Sequence, residues 1–286
     1  MRRRRQQLSR AIVAAGSVLL ALAGCAGSAD PLQAVRSAAT NTLALTAQST
    51  LALQGAQLFG ETPTIVGRGE FSFPKGLGYE GLQLPSHGRR AAGTAYLVFL
   101  PARVWIRPVS SAALPTGDLW ISTRLTDPQS GGAPTQAVAL VLEGTNPQLL
   151  LEEIATGATA ASRSGNRVVD HVPYTEYSVS VDLAKALAAT SATGPLRTAM
   201  RQQLAALRAV GAGSRIRVVA RVDGAERLAQ LEFSLPGSKL GTIQIGLWKF
   251  GSAIPLSLPL PSQTVEIASL RLAPGAVTPD RLLRGE

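Results

Sequence analysis

The residue whose chemistry is easiest to predict is a cysteine near the amino terminus. Cys25 is the only cysteine in the chain, and it follows Leu22-Ala23-Gly24 at the end of a short apolar stretch. Five arginines precede that stretch, which at about a dozen residues has the length of a secretory signal and is too short to span a bilayer. This order predicts a lipoprotein signal peptide over residues 1–24 and a diacylglycerol, with further acyl groups such as palmitate, on Cys25. The alternative is an ordinary secreted protein with a cysteine near its cleavage site.

The other residues capable of chemistry do not form a recognisable constellation. His87 and His171 are far apart, and no group of carboxylates and histidines has the spacing of metal ligands. Asp170 precedes His171, but neighbours on a strand point to opposite faces, which argues against an acid–base pair. We therefore expect no metal site and no catalytic residue, and we interpret each histidine as a surface or turn residue.

Two further motifs also have structural interpretations. Residues 76–81 satisfy the spacing Gly-x-Gly-x-x-Gly, but Pro85 follows too soon for a phosphate-binding helix, so a turn and a bent strand are predicted. Glu152 and Glu153 are interpreted as the solvated face of a helix. The sequence thus predicts a protein that is not an enzyme and needs no cofactor.

Composition excludes several classes of partner. The formal charge is +10 for the full chain, and removal of the five leader arginines leaves +5 spread over 262 residues. Nucleic-acid binding would need a concentrated basic patch, which the sequence lacks. With Cys25 acylated, no thiol remains for a disulfide, so stability must come from burial. We predict a short tether at 25–29 and one domain over 30–286, as a monomer on the extracytoplasmic face of a bacterial cell membrane.

The hydrophobic periodicity predicts an α+β fold. Asp30-Pro31, Asn146-Pro147 and Pro195 each begin an amphipathic helix, which gives about three helices. Most other segments alternate with a period of two, without helices between them, as in an antiparallel meander. So many strands, each with one apolar face, predict a large curved antiparallel sheet, an unclosed half-barrel wrapped around the helices.

Several motifs in this order resemble a known family. Residues 146–150, Asn-Pro-Gln-Leu-Leu, are similar to an Asp-Pro-x-x-Leu-Leu helix start, and residues 169–183 to a segment Val-Asp-Gly-Val-x-Thr-x-Tyr…Val-Asp-Leu. The Asp223-Gly224 hairpin and the bend Phe250-Gly251…Pro255 also match. These motifs resemble the LppX/LprA/LprF/LprG-type bacterial lipoproteins, which have the LolA/LolB-like lipoprotein carrier fold. In this chain His171 stands where the family has glycine.

The resemblance implies an apolar cavity that binds a lipid or glycolipid. The cavity-lining residues predicted in this chain are Leu97, Phe99, Trp105, Leu150, Ile154, Met200, Leu204, Val218 and Phe233. Small inner-face residues, including Gly67 and Gly69, could leave room for acyl chains. The expected function is lipid binding and transport across the cell envelope. Two alternatives remain open, a scaffold or interaction lipoprotein with a filled core and, more remotely, an envelope hydrolase.

Overall fold

The computed structural model describes residues 30–54, 64–86, 92–100, 103–109, 119–124, 145–190, 195–209, 213–234, 241–267 and 283. The predicted signal peptide, the tether with Cys25, and His87 lie outside the described residues. Four α-helices occur in these ranges: α1 (Pro31–Leu43), α2 (Pro147–Gly157), α3 (Leu183–Ala189) and α4 (Pro195–Ala209).

Three of the helices begin where the sequence predicts. The Asp30 side chain accepts a hydrogen bond from the backbone N–H of Leu32, and the Asn146 side chain accepts one from Gln148. Each cap is followed by a proline at the first helical position, where the missing N–H costs nothing. Helix α3 was not predicted; it begins after Asp182, whose carboxylate accepts hydrogen bonds from the backbone N–H groups of Ala184 and Lys185.

Twelve strands of the described ranges form one sheet. They are β1 (Thr46–Gln54), β2 (Ile65–Ser72), β3 (Leu77–Leu84), β4 (Gly93–Leu100), β5 (Arg103–Arg107), β6 (Trp120–Arg124), β7 (Ala158–Val169), β8 (Val172–Asp182), β9 (Arg215–Val222), β10 (Leu228–Ser234), β11 (Thr242–Trp248) and β12 (Thr264–Glu266). Their order is β12-β6-β5-β4-β3-β2-β1-β11-β10-β9-β8-β7, and each pair is antiparallel except β12 with β6. The predicted α+β class with a large unclosed sheet is confirmed. The sheet differs from the prediction in having one parallel pair, and the described residues contain four helices where about three were predicted.

The two faces of the sheet differ in chemistry. Leu51, Leu231 and Ile245 belong to the buried apolar cluster, and the face that they define is here called the helix-side face. Their strand neighbours, such as Thr50, Gln230 and Gln244, point the other way and define the outer face. Helices α1 and α2 contact strands at the β7 end of the sheet, and the described helices contact one another. None of the described helices is long and apolar enough to cross a membrane.

Asp170 and His171 form the two-residue turn between β7 and β8. Both have positive φ, 49° and 65°, as in a type I′ hairpin turn. The argument that placed these two residues on a strand is therefore wrong, whereas the interpretation of His171 as a surface or turn residue agrees with the structure. Glycine adopts this conformation without the contact between Cβ and the following carbonyl oxygen that strains other residues.

We expect His171→Gly to stabilise the protein. Relief of the left-handed strain exceeds the extra entropy of glycine in the unfolded chain, and the expected gain in the free energy of unfolding is about 0.5–1 kcal/mol. Urea denaturation measures it. Ser178→Gly, at an exposed extended position of β8, is the control and should destabilise. Equal loss of stability in both variants would contradict the assignment of strain to His171.

Candidate functional site

Seven of the nine predicted lining residues share one buried cluster. Leu97, Phe99, Val218 and Phe233 lie on the helix-side face of the sheet, and the cluster also contains the helical residues Leu150, Ile154 and Leu204. Met200 belongs to a second, smaller cluster with Leu149 and Ala186, between α2, α3 and α4. The structure thus places seven of these residues in one buried cluster on the helix side of the sheet, and Met200 in a smaller cluster among the helices.

Trp105 is the exception among the predicted lining residues. Its neighbours Val104 and Ile106 belong to the helix-side cluster, so Trp105 points to the outer face. There it lies opposite Val98 on β4, and the Arg103 guanidinium lies 5.6 Å from the centroid of its ring. Trp105 therefore does not line the same space as the other eight residues.

The eight residues on the helix side are closely packed in this conformation. Their exposed fractions range from 0% for Leu97 and Ile154 to 4% for Leu204 and Phe233. A cavity wide enough for an acyl chain would leave its lining accessible to a water-sized probe. The region therefore has the apolar composition predicted for a lipid site, but it is closed around these side chains.

The space beside two of the small inner residues is also occupied. Gly67 and Gly69 on β2 lie against the carboxylate of Glu80 on β3, which a Cβ at either glycine would meet. Similarly, a Cβ at Gly78 would meet the ring of Phe71. The expectation that the glycines leave room for a ligand is thus wrong at Gly67 and Gly69, because Glu80 fills that room.

Glu80 is the most unusual ionisable group among the described residues. It is 1% exposed, the Ser49 hydroxyl donates a hydrogen bond of 3.1 Å to its Oε2 atom, and its buried Oε1 atom has no partner. Burial raises the pKa of Glu80 to about 8, and the hydrogen bond from Ser49 opposes this only in part. Glu80 is thus protonated through most of the physiological range.

Sequence reasoning missed Glu80 although a signal was present. Glu80 alternates in phase with Leu82 and Leu84, which predicts the buried face of β3. The two glycines alternate in the same way on β2, where the register places Gly69 directly opposite Glu80. Glycines opposite an inward-facing glutamate leave room beside the strand, and this pattern indicates that the glutamate carboxylate is buried in that room.

Glu153 also differs from its predicted environment. The sequence interpretation placed Glu152 and Glu153 on a solvated face, but Glu153 is 1% exposed. Helix α2 is covered by α1 on one side and α3 on another, which leaves little of its surface for solvent. Burial also raises the pKa of the less buried Glu152.

The candidates for catalysis or metal binding do not come together in the described part of the chain. His171 lies exposed in its turn, and no group of three or more His, Cys, Asp or Glu side chains there could hold a metal ion. Gly76 has φ of 63° and ends a short 3-10 helix, and the rest of the Gly-x-Gly-x-x-Gly segment belongs to β3. The predicted turn-and-strand interpretation of this motif agrees with the structure.

A groove of about 980 Å³ lies on the outer face. It crosses the sheet from Tyr96 on β4 to Arg221 on β9, and the end of the β7–β8 hairpin at Val168 and Val169 forms one wall. None of the nine predicted lining residues belongs to it. A second groove of about 340 Å³ lies beside it under the segment Pro255–Pro259, and Tyr79 lines both.

Comparison with solved structures finds proteins similar to this chain. LprF from Mycobacterium bovis is 11% identical over 81% of this chain and 96% of that one, with a TM-score of 0.43. The lipoprotein LppX from Mycobacterium tuberculosis is 13% identical over 79% and 97%, with the same TM-score of 0.43. A LolA superfamily protein from Nitrosomonas europaea is 8% identical over 79% and 94%, with a TM-score of 0.28.

The resemblance to LppX- and LprF-type lipoproteins that the sequence motifs predict is thus found again among solved structures. No family model matches the chain, and no curated protein matches it.

Proposed function

We propose that this protein is an envelope lipoprotein, anchored through acylated Cys25, that binds the acyl chains of a lipid or glycolipid between the sheet and its helices and carries the lipid across the envelope. The observation that carries the proposal is the apolar cluster, which extends without interruption from Ile121 on β6 to Val179 on β8. An acyl chain in water costs about 0.8 kcal/mol per exposed CH₂, so transfer through an aqueous layer needs such an apolar container.

The closed packing of the cluster specifies how loading would occur. Helices and sheet meet through apolar side chains, and an acyl chain can replace one set of apolar contacts with another at small cost. The helices must therefore separate from the helix-side face when a lipid enters. The LppX-like motifs of the sequence support the same function.

A filled core favours a second candidate, an interaction or scaffold lipoprotein that carries no lipid. Exposed fractions of 4% or less at the eight helix-side residues support this alternative. Mass spectrometry of lipids that copurify with the protein separates the two candidates. A stoichiometric lipid supports the carrier, and its absence from protein purified without detergent supports the scaffold.

The anchor has its own test. Cys25→Ser removes the thiol to which the diacylglycerol would be attached, and we expect it to shift the protein from the membrane fraction to the soluble extracytoplasmic fraction. Immunoblotting of fractions, with total protein as the control for expression, measures the shift. A wild-type protein that is membrane-bound while Cys25 carries no acyl group would contradict the lipoprotein proposal.

A further inference from the structure

The outer-face groove combines apolar surface with a set of polar side chains. Its polar side chains are neutral groups that both donate and accept hydrogen bonds, arginines and one carboxylate; they include Thr50, Gln83, Gln230, Gln244, Arg68, Arg167, Arg221 and Glu232. Amides and hydroxyls of this kind match sugar hydroxyls, each of which also donates and accepts.

The floor and the aromatic wall of the groove suit a flat, hydroxylated ligand. Gly81 and Gly246 lie on the floor, and a Cβ at Gly246 would meet the Thr50 hydroxyl. Tyr79 and Tyr96 are stacked beside the floor, with ring centroids 5.8 Å apart and an interplanar angle of 23°. Aromatic surfaces combine an apolar face with a polar tip, as a sugar ring does.

Part of the groove is held in place by hydrogen bonds. Arg221 donates to Glu176 at 2.9 Å and to Gln230 at 3.1 Å, and Gln244 donates to Glu232 at 3.4 Å. These bonds restrict the side chains of the β9–β11 wall before any ligand arrives, which lowers the entropy cost of binding.

Arg68 is available to a ligand. It is exposed on β2 between these two walls, and within the described ranges no hydrogen bond or ion pair involves its guanidinium. A free guanidinium among amides and hydroxyls favours a ligand that carries a carboxylate as well as hydroxyl groups.

A peptide fits the groove less well. The floor strands β3, β2, β1, β11 and β10 each have a neighbour on both sides, so an extended peptide finds no unpaired strand edge to bind.

From these observations we propose that the outer-face groove binds an acidic oligosaccharide, with its sugar rings against Tyr79 and Tyr96 and a carboxylate on Arg68. The groove crosses seven strands, from β4 to β9, which is about 29 Å along the sheet and long enough for several sugar units. The sheet separates this site from the helix side, so the proposal is independent of lipid binding.

The test uses the purified full chain, with hexagalacturonate as the acidic probe, cellohexaose as the neutral probe and hexaglutamate as the acidic peptide. Isothermal titration calorimetry should detect hexagalacturonate binding, at least about tenfold tighter than binding of either other probe. Arg68→Gln and Tyr96→Ala should each weaken it by about tenfold or more.

Arg217→Gln is the matched control, because Arg217 is an exposed strand arginine of the same face outside the groove. It should change hexagalacturonate binding by less than about twofold. Thermal melting of each variant checks that it is folded. We expect Arg68→Gln to fold like wild type, because Arg68 is exposed. Absence of hexagalacturonate binding, equal binding of hexaglutamate, or equal effects of Arg68→Gln and Arg217→Gln would overturn the proposal.

Discussion

The protein should lose stability as the pH rises from about 5 to about 8, and Glu80→Gln should remove most of that loss. The folded-state pKa of Glu80 is raised from 4.5 to about 8, so between these values the folded protein binds a proton that the unfolded chain has released. The contribution of Glu80 to the free energy of unfolding is fully present below the unfolded pKa and is lost as the pH approaches the folded pKa. Between these values the free energy of unfolding falls by about 1.4 kcal/mol per pH unit, so it is about 2–3 kcal/mol lower at pH 7 than at pH 5.

Urea denaturation of both proteins across pH 5–9 measures this effect. At pH 5 the Gln variant should differ little from wild type, since an amide and a protonated carboxyl have nearly the same size and polarity. At pH 7–8 it should be the more stable of the two. Glu70→Gln, on the outer face of the neighbouring strand, is the control and should leave the pH dependence of wild type unchanged. Parallel curves for wild type and Glu80→Gln would show that Glu80 is not buried as described.

The Val218→Trp variant should be strongly destabilised in lipid-free protein. Val218 is 1% exposed within the helix-side cluster, and a tryptophan cannot fit there without displacing its neighbours. Overpacking of this kind costs about 1–3 kcal/mol. For a domain of this size, that corresponds to a fall in melting temperature of roughly 3–10 °C.

Val219→Trp provides the matched comparison, because Val219 is the next residue of β9 and faces outward, where it is half-buried. It should change the melting temperature much less. Both variants must be delipidated before melting, since bound lipid raises apparent stability. If Val218→Trp melts like wild type while the amount of copurifying lipid falls, the space beside Val218 is an open lipid site and the close packing described here is not the ligand-free state.

Local features of this protein were readable from its sequence. Asp30 and Asn146 cap their helices through their own side chains, and the proline after each fixes one backbone angle, so a few adjacent residues determine where these helices begin. The alternation of Leu51 and Leu53 with the smaller or polar Thr50, Ala52 and Gln54 likewise assigns the faces of β1, because side chains alternate along any strand. The number of such strands also sufficed to predict a large sheet.

Sequence reasoning was less reliable where several apolar residues are consecutive. Val104, Trp105 and Ile106 have no alternation, so the sequence could not indicate that Trp105 faces outward while its neighbours face the helices. The two-residue turn at Asp170-His171 was assigned only in part: a turn position was expected for His171, but the hairpin itself depends on the pairing of β7 with β8.

Only the tertiary structure decided what lies on each face of the sheet. Glu80 is buried because two glycines on the neighbouring strand leave space for its carboxylate, and Glu153 is buried because helices from distant parts of the chain cover α2. The groove on the outer face combines side chains of the seven strands from β4 to β9 in the sheet with the β7–β8 hairpin, and its lining residues lie as far apart in the sequence as Thr50 and Gly246. Backbone conformation is set mainly by neighbours in sequence, whereas burial and the composition of a groove depend on which distant strands the sheet places side by side.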